Sequence, residues 1–207
     1  MLFVGAYRRE QAVEYARRWA FSRNPLFYDF SALGGDCTNF VSQCVYAGSC
    51  VMNLTPILGW YYVSPGDRAA AFSGVEFFYN FLVGNEGVGP YATETDAEGI
   101  ALGDVIELGR ADGSYYHTLL AVGRDEGGDI LVAAHTNDAF ARPLSSYTFE
   151  AARYLHIEGV RYLTEGANDC FPSLLLGERL LLVGAGEVLA PLPEGEGEDG
   201  QDQSISS

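Results

Sequence analysis

The segment Gly34-Gly35-Asp36-Cys37-Thr38-Asn39-Phe40-Val41-Ser42-Gln43-Cys44-Val45-Tyr46-Ala47-Gly48 constrains the chain more than any other stretch. Two adjacent glycines predict a tight turn, and Asp36 then stands where a helix N-cap belongs. Phe40, Val41, Cys44 and Val45 follow at the three-and-four spacing of a helix with one buried face, and Gly48 reads as its stop. Cys37 therefore falls in the first turn of a buried helix. Unpaired N–H groups and the helix dipole favour an anion there, so its thiol is expected to ionise below the free value of about 8.5. Cys44, one helix face in, reads as a small hydrophobe. Cys50 and Cys170 have no comparable context.

The remaining composition narrows the surroundings. The chain has 207 residues, is 48% hydrophobic, and carries a net charge of −16 with only 12 basic residues, every one an Arg. That length holds one core-forming domain plus extras. The acidic surface excludes nucleic acid and anionic membranes as expected partners. Four cysteines without CxxC spacing and three histidines predict no metal site, and no cofactor is expected. Nor do four cysteines in this length suggest a disulfide-dense scaffold. No apolar run reaches membrane-spanning length, and the first residues show no signal peptide. The chain as written is expected to be cytoplasmic, or secreted and wall-associated if an N-terminal segment precedes it.

Tyr7 to Ala20 predicts an amphipathic helix ended at Asn24-Pro25, and Arg68 to Leu82 another, weakened by Gly74. An aromatic loop, 26–33, leads into the glycine turn. Strands are expected at 102–108, 115–122, 130–135 and 153–158. Helices first and an antiparallel sheet afterwards give an α+β domain. Residues 173–183 fit a hairpin or a short helix equally well. From Gly184 onward, Gly, Pro, Glu and Ser dominate without a basic residue, the composition of a disordered acidic tail.

His117 begins one expected strand and His135 ends the next. If Asp125-Glu126-Gly127 is a three-residue hairpin loop with Gly127 left-handed, Arg124 pairs with Gly128 and His117 with His135. The two side chains would then face each other about 5 Å apart. A one-residue slip would separate them onto opposite faces. In this register Cys37 is the candidate nucleophile and His117 its base. His135 is the group that orients the base, with Asn137 and Asp138 as alternatives for that third position. His156 reads as structural.

Gly34-Gly35-Asp36-Cys37-Thr38-Asn39-Phe40-Val41-Ser42-Gln43-Cys44, together with Gly59-Trp60-Tyr61-Tyr62, Gly103-Asp104-Val105-Ile106, Tyr116-His117 and Ala134-His135-Thr136, resembles the bacterial "putative amidase domain" family. That family sits with the papain-like, NlpC-type cysteine amidohydrolases. The resemblance runs from about Tyr7 to Gly159, making 1–159 the domain, 160–183 an extension and 184–207 the tail. It implies a papain-like fold with the Cys helix packed on the sheet. The implied reaction is hydrolysis of a peptide or cell-wall-peptide amide through a thioester on Cys37. Tyr28 and Asp36 become candidates for the substrate and oxyanion side, beside the Cys37 N–H. An acyl or peptidyl transferase on the same site, or a silent binding module, is the alternative.

Overall fold

The computed structural model describes residues 1–164 and 169–178, plus the backbone of two paired two-residue strands at 182–183 and 187–188. The expectation of a disordered 184–207 falls, apart from that second strand, outside the described residues. Chain order is β1 (Phe3–Gly5), α1 (Arg9–Trp19), α2 (Cys37–Ser49), β2 (Tyr62–Ser64), β3 (Asp67–Arg68), α3 (Ala70–Ser73) and α4 (Val75–Gly84). Then come β4 (Gly89–Thr95), β5 (Val105–Gly109), β6 (Tyr115–Arg124), β7 (Ile130–Ala134), β8 (Ala139–Pro143), β9 (Ala151–Tyr162) and α5 (Phe171–Leu176). A seven-stranded antiparallel sheet runs β1-β9-β5-β6-β7-β8, with β4 on the other edge of β9. The fold is α+β, as the order of patterns predicts. Among the described residues no helix is long and apolar enough to cross a membrane.

α2 is the hub. Every residue of it except Tyr46 is buried, because α1 covers one side and β6 the other. α1 turns Ala12, Tyr15, Ala16 and Trp19 inward against Phe40, Val41, Cys44 and Val45 of α2. Burying such aliphatic and aromatic side chains is worth about 1.5–3 kcal/mol each. Gly48 is not the stop that its position suggested. The helix runs on to Ser49 and ends at Cys50, which takes the left-handed conformation at φ 49°. A Cβ on Gly48 would stand 2.3 Å from the Tyr7 ring, so glycine serves close packing there.

Gly74 does more than weaken a helix. Its extended backbone (φ −122°, ψ 128°) divides the expected 68–82 helix into α3 and α4. Strands β1, β4 and β8 and the β2–β3 hairpin carry no strong alternation and escape the sequence pattern. The segment that fitted hairpin or helix opens as α5. The Trp19 indole and Asn24 amide both donate to the Leu174 carbonyl, holding α5 on α1. A disulfide between Cys50 and Cys170, cysteines with no sequence context, ties the entry of α5 to the end of α2.

The β6–β7 turn differs from its expected form by one residue. The Asp125 carboxylate accepts the N–H groups of Gly127 and Asp129, each at 2.9 Å. That side-chain turn draws Asp129 opposite Asp125 and makes Gly128, at φ +87°, the left-handed residue. Arg124 pairs with Ile130, and an irregularity near Val122 then sets Leu120 against Ala133. His117 and His135 are therefore not a facing pair, and β7 ends before His135.

Candidate active site

Gly34 and Gly35 both adopt positive φ, +109° and +119°, which bends the chain into the first turn of α2. Asp36 follows at the N-cap position, but its carboxylate does not cap the helix backbone. Instead Oδ1 accepts the Phe30 N–H and the Asn39 amide, each at 2.9 Å, and Oδ2 meets His135 Nδ1 at 2.6 Å. The first helical N–H groups, that of Cys37 included, are thus left without a capping side chain.

His135 is 1% exposed, stacks on Phe40 with ring centroids 3.9 Å apart, and places Nε2 3.0 Å from the Trp19 carbonyl oxygen. A carbonyl can only accept, so Nε2–H donates to Trp19. A proton also lies between Nδ1 and Asp36, on either partner. With both nitrogens engaged, His135 locks the Asp36 turn to α1 and is not available to orient His117. Just beyond it, Thr136 and Asn137 both take positive φ, 65° and 66°. For a β-branched residue this conformation is strained. The Asp36 N–H donates to Thr136 Oγ1 at 3.2 Å across the same turn.

These elements enclose a cleft of about 280 Å³, lined by Gly34, Gly35, Cys37, Leu108, Tyr116, His117, Thr136, Asn137 and Tyr147. Cys37 and His117 share it, and so does Asn137. Asp138 instead forms a two-pronged pair with Arg23, at 2.9 and 3.0 Å. Tyr28 stands off the cleft wall: its half-exposed ring packs on Phe30, and its carbonyl accepts from Asn39. His117 is 8% exposed, and its pKa falls from 6.5 to about 4, chiefly through burial and secondarily through the nearby Arg142 charge. It is therefore a neutral imidazole at pH 7. The Cys37 thiol is not hydrogen-bonded to it; the polar neighbour of Sγ is Thr38 Oγ1 at 3.9 Å. A larger cavity, about 450 Å³ between the 53–58 loop and α4, contains neither cysteine nor histidine.

The Putative amidase domain family matches residues 6–157. The chain belongs to that family. It is also similar to a protein of Bacillus subtilis (strain 168) named Uncharacterized protein YhbB, 33% identical over 139 residues. That alignment covers 66% of this chain and 43% of the relative, so the chain spans under half of the relative's length. No solved structure matches. Within this amidase family member, amide hydrolysis is the chemistry that the family description carries.

Some of the cleft escapes sequence reasoning. Tyr147 lies in a loop with no pattern of its own, and Thr136 gains meaning only through its backbone angle. His156, read as structural, binds Asp104 at 2.7 Å beside Arg9, which meets the same carboxylate at 2.5 Å. Asp104 also accepts the N–H groups of Ala101 and Ile157, so this cluster joins α1, β5 and β9 away from the cleft.

Proposed function

We propose that the protein is a cysteine amidohydrolase of papain-like, NlpC-type arrangement, with Cys37 as nucleophile and His117 as base. The observation that carries this reading is the shared cleft: a thiol on the first residue of a helix, opposite a histidine held neutral by burial. A neutral imidazole can accept the thiol proton, where an imidazolium could not. Sγ then attacks the amide carbonyl, and the oxyanion draws on the uncapped Cys37 N–H. His117 returns its proton to the departing amine, leaving a thioester on Cys37. Water, deprotonated by His117, hydrolyses that thioester and frees the acid. Substrate entering the cleft brings thiol and imidazole into contact, since catalytic hydrogen bonds often tighten only in the complex.

His135 serves here as a positioning residue for the Asp36 turn. The group left to orient His117 is Asn137, which the strained turn holds on the cleft wall. Peptide amides, including those of the cell wall, are the proposed substrates. The Cys50–Cys170 disulfide favours a site of action outside the reducing cytoplasm, the secreted alternative.

The test is labelling by a thiol-directed acylating probe, read by mass at Cys37 against buried Cys44, with amine release from peptide amides measured alongside. Labelling at Cys37 that disappears in His117→Ala supports the reading. Undiminished amide hydrolysis by Cys37→Ala overturns it. Product analysis with added amines separates hydrolysis from transfer.

A further inference from the structure

The cleft that holds Cys37 and His117 is otherwise uncharged and partly aromatic. Among the described residues that line it, none is Asp, Glu or Arg, in a chain whose net charge is −16. Tyr116 and Tyr147 supply the large rings, and Leu108, opposite His117 in the β5–β6 pairing, supplies an aliphatic side chain. Gly34 and Gly35 add bare backbone. A Cβ on Gly34 would meet no heavy atom within 4 Å beyond its chain neighbours, so the space beside the Cys37 turn is open.

Both tyrosines are held in place. Tyr116 donates its hydroxyl to the Thr148 carbonyl at 3.1 Å, which ties β6 to the loop that carries Tyr147. Arg142 Nε and Nη2 donate to the Ser146 hydroxyl and carbonyl at 2.8 and 3.2 Å, holding that loop from β8. Two cations lie against the rings. The Arg110 guanidinium stands over Tyr116 at 4.6 Å and that of Arg142 over Tyr147 at 4.1 Å, and neither arginine lines the cleft. A substrate carboxylate entering here would lose its water and meet no charged partner on the wall, which is costly. An apolar side chain gains by the same move.

The cleft volume, about 280 Å³, falls just short of the range of about 300–1,000 Å³ found for whole small ligands, so it suits one residue of a longer substrate. The order of bond changes says which residue. The amine leaves as the thioester forms, whereas the acyl residue stays bonded to Cys37 Sγ, inside this cleft, until water attacks. We propose that the cleft is a specificity subsite for the acyl residue, accepting an aromatic or large aliphatic side chain against Tyr116 and Tyr147 and rejecting a carboxylate. This rests on Cys37 being the nucleophile. The two tyrosines select the substrate and take no part in the proton transfers. Ring against ring adds offset or edge-on stacking to the burial of area.

The experiment compares the N-acetyl chloromethyl ketones of Phe, Leu, Ala and Glu on the whole protein at pH 7, with chloroacetamide as a reagent that has no side chain. In each case Sγ displaces chloride, and the adduct mass at Cys37, followed in time, gives the rate. The Phe and Leu ketones should react about tenfold or more faster than the Ala ketone and about a hundredfold faster than the Glu ketone. Tyr147→Ala and Tyr116→Ala should each cut the Phe-over-Ala ratio about three- to tenfold, the size of one aromatic contact, and leave the chloroacetamide rate unchanged. If either variant fails to fold, the wild-type ratios carry the test. Equal rates for the Phe, Ala and Glu ketones overturn the proposal, as does a Phe-over-Ala ratio that survives both substitutions. So does a Glu ketone that reacts fastest and loses its lead in Arg142→Ala, which would make Arg142 a carboxylate receptor. A Cys37 inert to every reagent overturns this inference together with the nucleophile reading. Amide hydrolysis that needs Cys37 but shows no side-chain preference defeats this inference alone. A side-chain preference at Cys37 in a protein that hydrolyses no amide defeats the amidase reading alone.

Discussion

His117 and His135 are both almost wholly buried, one sharing a cleft with Cys37 and the other bonded to Asp36, but their nitrogens meet opposite fates. Those of His135 are saturated by Asp36 and the Trp19 carbonyl, while the ring of His117 faces a cleft with a depressed pKa. The first arrangement cannot exchange a proton without breaking a buried pair. The second is a neutral imidazole that, on the proposed reading, accepts a proton. Asp104 and His156 form a second Asp–His pair beside Arg9, outside the cleft that Cys37 lines. The buried Asp36–His135 pair is thus a structural rivet, and the proposed reading assigns reactivity to the histidine that lacks such a partner.

The sharpest way to break that distinction is to compare truncations. His117→Ala should lower amide turnover by about three orders of magnitude or more while leaving the fold intact, measured as kcat/KM beside the melting curve. His135→Ala should do the reverse. It takes the close partner from Asp36 Oδ2 inside the core, so a stability loss of about 3–5 kcal/mol is expected by chemical denaturation. His135→Asn, which keeps one polar contact, should lose less. Equal stability losses in the two alanine variants would erase the distinction.

Acid provides a second contrast. The folded pKa of His117 is about 4 against 6.5 unfolded, a depressed value. The stability that comes from keeping it neutral is complete above pH 6.5 and is lost as pH falls through 4, about 3 kcal/mol in all. Glu107 of β5, raised by burial from 4.5 to about 7, works oppositely: its contribution is complete below pH 4.5 and is lost as pH rises through 7. Denaturation at pH 4 and 7 should therefore show His117→Phe gaining relative to wild type at pH 4, and Glu107→Gln gaining at pH 7. Same-sign shifts would contradict both environments.

The smallest expected effect concerns the route by which the rivet is held. Cys50–Cys170 anchors α5, and α5 holds Trp19, whose carbonyl in turn binds His135. Replacing both cysteines with Ala should cost about 2–4 kcal/mol of stability. It should lower turnover less than His135→Ala does. A turnover loss matching that of His117→Ala would show that the disulfide governs the reactive side directly.

The local pattern of 34–48 carries helix α2, its buried face and the placement of Cys37, because glycine turns and three-and-four apolar spacing act within a few residues. The order of patterns likewise gives an α+β class. Long-range matters were not legible there. Asp36 reads as a cap from its neighbours, yet its carboxylate goes to His135, 99 residues away. Cys50 and Cys170, separated by 120 residues, meet only because α2 and α5 both pack on α1. The histidine register turned on the Asp125 carboxylate reaching Asp129 rather than leaving Gly127 at the bend. Sequence by itself determined which residues can react; tertiary structure decided which of them are left free to do so. The reason is physical. A side chain's chemistry is its own, while its burial and its hydrogen-bond partners come from whatever distant segments the core brings against it.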